Sequence, residues 1–234
     1  MVRGSREGPT IQDIRRLVLN AVIDEVAVSG VDQKKIENII DRLEVPRAKV
    51  VQLFGGIDQL QAEALIVIYE DYVAHLWTQT RHGGTDPEAR FRARAMSQLI
   101  YCLDKPGWSV ILDYPSLNPE FTAMLRADYG ERLNALFELN MGRLAQTILD
   151  IQTGAAHFTE IDFENVPRAQ MLANPDLVSM TSSIAWGLLG MTIWSSGRHT
   201  PSLKTQELDD VLDKGIQNHI DTLIQQIKRG ALVH

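Results

Sequence analysis

Arg47, Lys49 and Gln52 fall within one short stretch just behind Pro46. A guanidinium or ammonium group donates to guanine and a carboxamide pairs with adenine, so this trio can read base edges if one helix carries it into a groove. Lys34 and Lys35, a little upstream, have the chemistry to neutralise phosphate. Other chemistries find less support. His75 and His82 lie near Glu70 and Asp71, but zinc-binding helices offer two His at i and i+4 plus a third ligand, and no such trio occurs, so no metal is expected. The chain has no G-x-S-x-G elbow, P-loop or dinucleotide glycine fingerprint, and Gly55-Gly56 lacks a preceding strand. No catalytic residue, no cofactor and no enzyme activity are expected.

The elements that would carry those residues are helices. Ile14, Leu17, Val18, Ala21, Val22 and Val26 step by three and four, which predicts a helix over 11–28 that Gly30 stops. Asp32 can cap a second helix carrying Ile36, Ile39, Ile40 and Leu43, and Pro46 opens a third that runs through Leu53 and ends at Gly55-Gly56. Two short helices joined by so brief a turn form a helix-turn-helix. Behind it the helices lengthen: 58–81, then a helix capped by Asp86-Pro87 to Leu103, a short one over 108–112, a long one over 119–151, and two more over 175–196 and 204–229. Residues 153–167 read as a loop. The fold class is all-α, with no run of strand periodicity.

Among the 234 residues the hydrophobic share is 44% and the aromatic share 6%, enough apolar content for a core and a balance that favours helix over strand. The net charge of −7 is unevenly spread. Residues 1–62 hold nine Lys/Arg and nine Asp/Glu, leaving fourteen and twenty-one for the remainder, so a neutral head precedes an acidic body. No apolar run is long enough for a membrane span and the first residues lack the apolar stretch of a signal peptide, so the chain is expected in the cytoplasm with no membrane partner. Cys102, the single cysteine, is expected to be a buried spectator thiol.

The run GVDQKKIENIIDRLEVPRAKVVQLFGGIDQL, residues 30–60, resembles the DNA-binding segment of TetR-family transcriptional regulators and aligns with their pattern without a gap. Gly30 stands at the glycine that ends the family's first helix, Ile36 and Ile39 at apolar positions of its second, Val45 at its turn valine, and Val50, Phe54 and Leu60 at the anchors of its recognition and fourth helices. Leu43 and Glu44 replace the Ala and Gly before the turn valine, Ala48 a glycine, Val51 a tyrosine and Ile57 a lysine. The resemblance implies a helix-turn-helix DNA-binding domain over 1–56 and a helical effector-binding and dimerisation domain over 57–234. It also implies operator DNA as partner, contacted through Lys34, Lys35, Arg47, Lys49, Val51 and Gln52.

A cavity within the body is likewise implied by the resemblance. Tyr72, Trp77, Phe91, Trp108, Met124, Phe137, Met141, Met180 and Trp186 are candidates to line it, each equally suited to an ordinary core. Arg90, Arg92 and Arg94 spread over more than one helix face, so an inward Arg could meet an anion. The body composition suits a mainly apolar small molecule. The last two helices are apolar beyond the needs of one buried face, and Met180, Ser183, Gly187, Met191, Val211, Leu212, Ile216, Ile220 and Leu223 are candidates for a homodimer interface. Two functions are expected: a ligand-responsive repressor released from a palindromic operator, or, on account of Val51 and Ile57, a ligand-binding or scaffold protein of the same fold that has lost operator binding.

Overall fold

Thr10 opens the first helix through a reciprocal cap: its hydroxyl oxygen accepts from the Asp13 amide at 3.2 Å, and its own amide donates to the Asp13 carboxylate at 3.1 Å. A computed structural model describes residues 10–30, 33–105, 107, 119–154, 166, 168–195 and 206–230. Among them the secondary structure is wholly α-helical, with no strand. The helices are α1 (Ile11–Ser29), α2 (Gln33–Arg42), α3 (Arg47–Phe54), α4 (Ile57–Arg81), α5 (Pro87–Asp104), α6 (Pro119–Thr153), α7 (Arg168–Leu172), α8 (Pro175–Ser195) and α9 (Gln206–Arg229). The expected helix over 108–112 and most of the expected loop lie outside the described residues, and α7 is an element the periodicity did not announce. No helix among the described residues is long and apolar enough to cross a membrane.

The chain divides into two compact units, one formed by residues 1–68 and 106–129, the other by 69–105 and 130–234. In the first unit α1 buries Val18, Val22 and Val26 on one stripe, α2 buries Ile36, Ile39 and Ile40, and α3 buries Val50. α1 packs against α2. Between α2 and α3 the chain reverses by a Schellman motif: the Val45 amide donates to the Ile40 carbonyl at 3.3 Å and the Glu44 amide to that of Asp41 at 3.1 Å. This motif puts Glu44 in the left-handed region, at φ 55°, where glycine is the usual occupant. Pro46 then starts α3, its carbonyl accepting from Lys49 at 2.7 Å. Gly107 belongs to this unit too, and lies so close to the end of α1 that a Cβ there would come 2.2 Å from the Val26 carbonyl oxygen and 2.4 Å from the Gly30 nitrogen.

In the second unit Asp86 caps α5, its carboxylate accepting from the Glu88 amide at 3.0 Å, with Pro87 in the first turn. The core is built from Phe91, Ala95 and Leu99 of α5, Leu144, Ile148 and Ile151 of α6, Ile184 and Leu188 of α8, and Ile220, Ile224 and Ile227 of α9. α8 packs against α5, α7 and α9, which explains its apolar composition: all but one face is occupied within the chain. Gly187 makes the crossing with α9 close, since a Cβ there would meet the Leu223 side chain at 2.9 Å, and His219 Nε2 lies 3.1 Å from the Gly187 carbonyl.

Candidate functional site

The first unit turns Arg47, Val51 and Gln52 outward on α3, and holds Lys49 partly covered. Val51 is 58% exposed, high for an aliphatic side chain on a helix whose Val50 is buried. Lys49 Nζ donates to the Gln52 side-chain carbonyl at 3.0 Å, and Arg47 Nη2 lies 3.5 Å from Glu37 of α2. On α2, Lys34 and Lys35 are exposed, and Lys35 Nζ stands 3.7 Å from Glu25 of α1. The structure thus brings all six residues expected to contact DNA onto the surface of two consecutive short helices. It also brings two carboxylates beside them, each within reach of one cation. Such exposed pairs stabilise weakly, by about 0 to 1 kcal/mol, so an incoming phosphate can displace them.

Arg15 had no place in the sequence expectations, yet it positions this surface. Its guanidinium donates to Glu63 of α4 at 2.6 Å and covers the Phe54 ring at 4.9 Å, tying the last residue of α3 to α1 and α4. The Arg15-Arg16 pair in α1 carries no signal of this; the pairing depends on a residue 48 positions away.

Within the second unit, α4, α5 and α6 bring polar and aromatic groups together. Arg143 of α6 lies 4.1 Å over the Trp77 ring, and Arg81 5.8 Å from the same ring. Arg94 donates to the side-chain and backbone carbonyls of Asn140. Tyr72 stacks with Tyr69 at 6.2 Å and meets Tyr101 edge-on at 5.2 Å, with the His75 ring also 5.2 Å from Tyr101. Tyr101 donates to Asp71 at 2.8 Å, and Lys105 donates to the same carboxylate. Burial works to raise the Asp71 pKa, but the hydrogen bonds from Lys105 and Tyr101 and the charges of Lys105 and His75 outweigh it and hold the carboxyl below its usual range. Burial also raises the hydroxyls of Tyr69, Tyr72 and Tyr101, so none carries negative charge at neutral pH. The Cys102 thiol is fully buried and pushed up to about 12 by that burial.

No family model, no curated protein and no solved structure matches the chain.

The residues expected to line one cavity that are described fall in several different environments. Tyr72 and Trp77 sit in the aromatic cluster of the second unit, whereas Phe91 and Met180 belong to its apolar core. Met141 is partly buried on α6, Phe137 is 56% exposed, Met124 lies in the first unit, and Trp108 is outside the described residues. The interface set is redistributed as well. Met180, Met191, Ile216, Ile220 and Leu223 are buried within the single chain, which leaves them no surface to offer a second copy. Gly187 serves the α8–α9 crossing, and the Val211 and Leu212 side chains are outside those described. The surface that α8 does leave open runs along Ser179, Ser183, Trp186 and Gly190, one face at helical spacing, with Trp186 68% exposed.

Of the three arginines on α5, Arg90 is fully buried and pairs with Asp150 at 2.8 Å, Arg92 is partly exposed and pairs with Asp221, and Arg94 is buried against Asn140. Asp150 is itself fully buried and also accepts from Gln146 at 2.8 Å. A charge set among Leu144, Ile148 and Ile151 on the buried stripe of α6 was the signal for that pair. Among the described residues no group of three or more His, Cys, Asp or Glu is placed to hold a metal ion.

Proposed function

We propose that the chain is a ligand-responsive DNA-binding transcriptional regulator of the TetR type, a homodimeric repressor acting in the cytoplasm that a small molecule releases from a palindromic operator. The observation that carries this reading is the division of labour on α2 and α3: Ile36, Ile39, Ile40 and Val50 face inward while Lys34, Lys35, Arg47, Val51 and Gln52 face out. In a major groove Arg47 would reach guanine, Gln52 adenine, and Val51 a thymine methyl group, while Lys34 and Lys35 would meet phosphates. For the dimer, support comes from the Ser179, Ser183, Trp186 and Gly190 face, whose small residues allow close approach around one large ring.

Selection of bound sequences from random DNA tests the reading: a palindromic consensus is expected. Arg47→Ala should then relax base preference at one position, by about 1–3 kcal/mol, whereas Lys34→Ala should weaken binding to every sequence alike. Absence of any sequence preference at low salt would overturn it. A second reading, a ligand-binding protein of this fold without an operator, draws on Glu37 and Glu25 standing beside the cations and on Val51 and Ile57 in place of phosphate-contacting residues.

A further inference from the structure

Arg94, buried, and Arg143, partly buried, are cations that meet no carboxylate among the described residues. Arg94 is 4% exposed; its Nη2 serves the Asn140 carbonyls, and its Nε is buried without an acceptor. Arg143 follows one helical turn after Asn140, and its Nε is buried without an acceptor too. Among the described residues neither guanidinium makes an ion pair, in contrast to Arg90 on the same helix as Arg94, which has Asp150 at 2.8 Å. The neighbouring hydroxyls of Tyr69 and Tyr72 are protonated and supply no counter-charge. Burial lowers both arginines, and the Arg94 charge adds to the fall of Arg143 to about 10, so the two repel one another in a medium of low dielectric.

Two N–H donors without an acceptor, one on buried Arg94 and one on its partly buried neighbour Arg143, flanked by Asn140 and the Trp77 and Tyr72 rings, define what would relieve them: an anion with two oxygens and an apolar body. We propose that Arg94 and Arg143 form the binding site for a small organic carboxylate. Arg94 and Arg143 each donate to it, Asn140 holds Arg94 in place, and the aromatic rings cover its hydrocarbon part. Arg143, only partly buried, stands on the solvent side of the pair. Naming this carboxylate as the effector rests on the regulator reading; the site itself does not.

The experiment uses the full chain with benzoate and octanoate as probes, benzamide as the uncharged control and inorganic phosphate as the non-carboxylate anion. At about a hundredfold excess over Kd a carboxylate should raise Tm by roughly 5–10 °C and shift tryptophan emission. Arg143→Gln should leave ligand-free Tm equal or higher, because a partly buried charge repelled by Arg94 is removed, and should weaken carboxylate binding about tenfold or more. Arg143→Lys should recover part of the binding, and guards against a Gln variant that fails to fold. No response to either carboxylate, an equal response to benzamide, an equal response to phosphate, or undiminished carboxylate binding by Arg143→Gln would each overturn the site. If the carboxylate binds while affinity for the selected operator stays unchanged, the effector role fails and the site stands. If no operator is found at all, the regulator reading fails, again without touching the site.

Discussion

The two units bury different things. In the first, the only polar or charged residue buried among those described is Gln61, and the rest of its interior is Val, Ile, Leu and Ala with Gly30 and Gly107. In the second, Arg90, Arg94, Asp150, Ser97, Gln98 and several threonines are buried alongside the apolar cluster. The first unit takes its shape from backbone devices: a reciprocal cap at Thr10, a Schellman reversal at Glu44, a proline start at Pro46 and a glycine approach at Gly107. Short helices cannot persist on propensity alone, so their ends matter most. The second unit holds the longer helices α5, α8 and α9 and takes its specificity from which side chains meet inside.

Asp150→Asn should have the largest effect. It leaves the Arg90 charge without its counter-ion in a fully buried place and should cost about 3–5 kcal/mol, read as a lowered urea midpoint. Replacing both, Arg90→Met with Asp150→Leu, should recover most of that loss; failure to recover would mean that the second unit needs the pair itself and not merely a filled volume. Gly107→Ala probes the first unit in the same way through its backbone. The added methyl would lie 2.2 Å from the Val26 carbonyl oxygen, and relieving that clash should cost about 1–3 kcal/mol. An unchanged Tm in this variant would break the comparison.

Glu44→Gly should act in the opposite direction. At φ 55° a residue with a Cβ is strained, and glycine removes the strain at the expense of a more disordered unfolded chain, for a net gain of about 1 kcal/mol by chemical denaturation. The smallest effect concerns acid. The Asp71 carboxyl is held below the aspartate value of about 3.9 in the folded state, so its contribution is present above that pH and lost as pH falls through the lower folded value. Asp71→Asn should therefore lower Tm slightly near neutral pH and flatten its fall at acid pH, whereas identical acid profiles for the two proteins would remove Asp71 from the account.

Much of the helix order is legible in the sequence itself. The stripe at Val18, Val22 and Val26, the stop at Gly30, the cap at Asp86-Pro87 and the long periodic runs each depend on neighbours a few residues apart, and α1, α5, α6 and α8 begin and end within two residues of where those signals put them. The six DNA-contact candidates share a surface for the same local reason, since α2 and α3 are adjacent in the chain. What long-range packing decides was not legible. The apolar surplus of α8 and α9 suggests a partner until α5 is known to lie against both, and the aromatic residues of the body cannot be sorted into core, cluster and surface from their types. Nor does sequence distinguish Arg90, which meets Asp150 sixty positions away, from Arg94, which meets Asn140.

Cys102 turns the buried interior of the second unit into a stopwatch. The only thiol in the chain is fully covered and held in its unreactive protonated form by that burial, so an alkylating reagent can mark it only during excursions that bare α5. Labelling rate against time then reads how often this part of the molecule opens, one molecule and one mark at a time, with no competing site elsewhere. Applied to Asp150→Asn the stopwatch should run fast. Applied to Gly107→Ala, whose damage lies in the other unit, it tells whether opening is a local affair or one event shared by the whole chain.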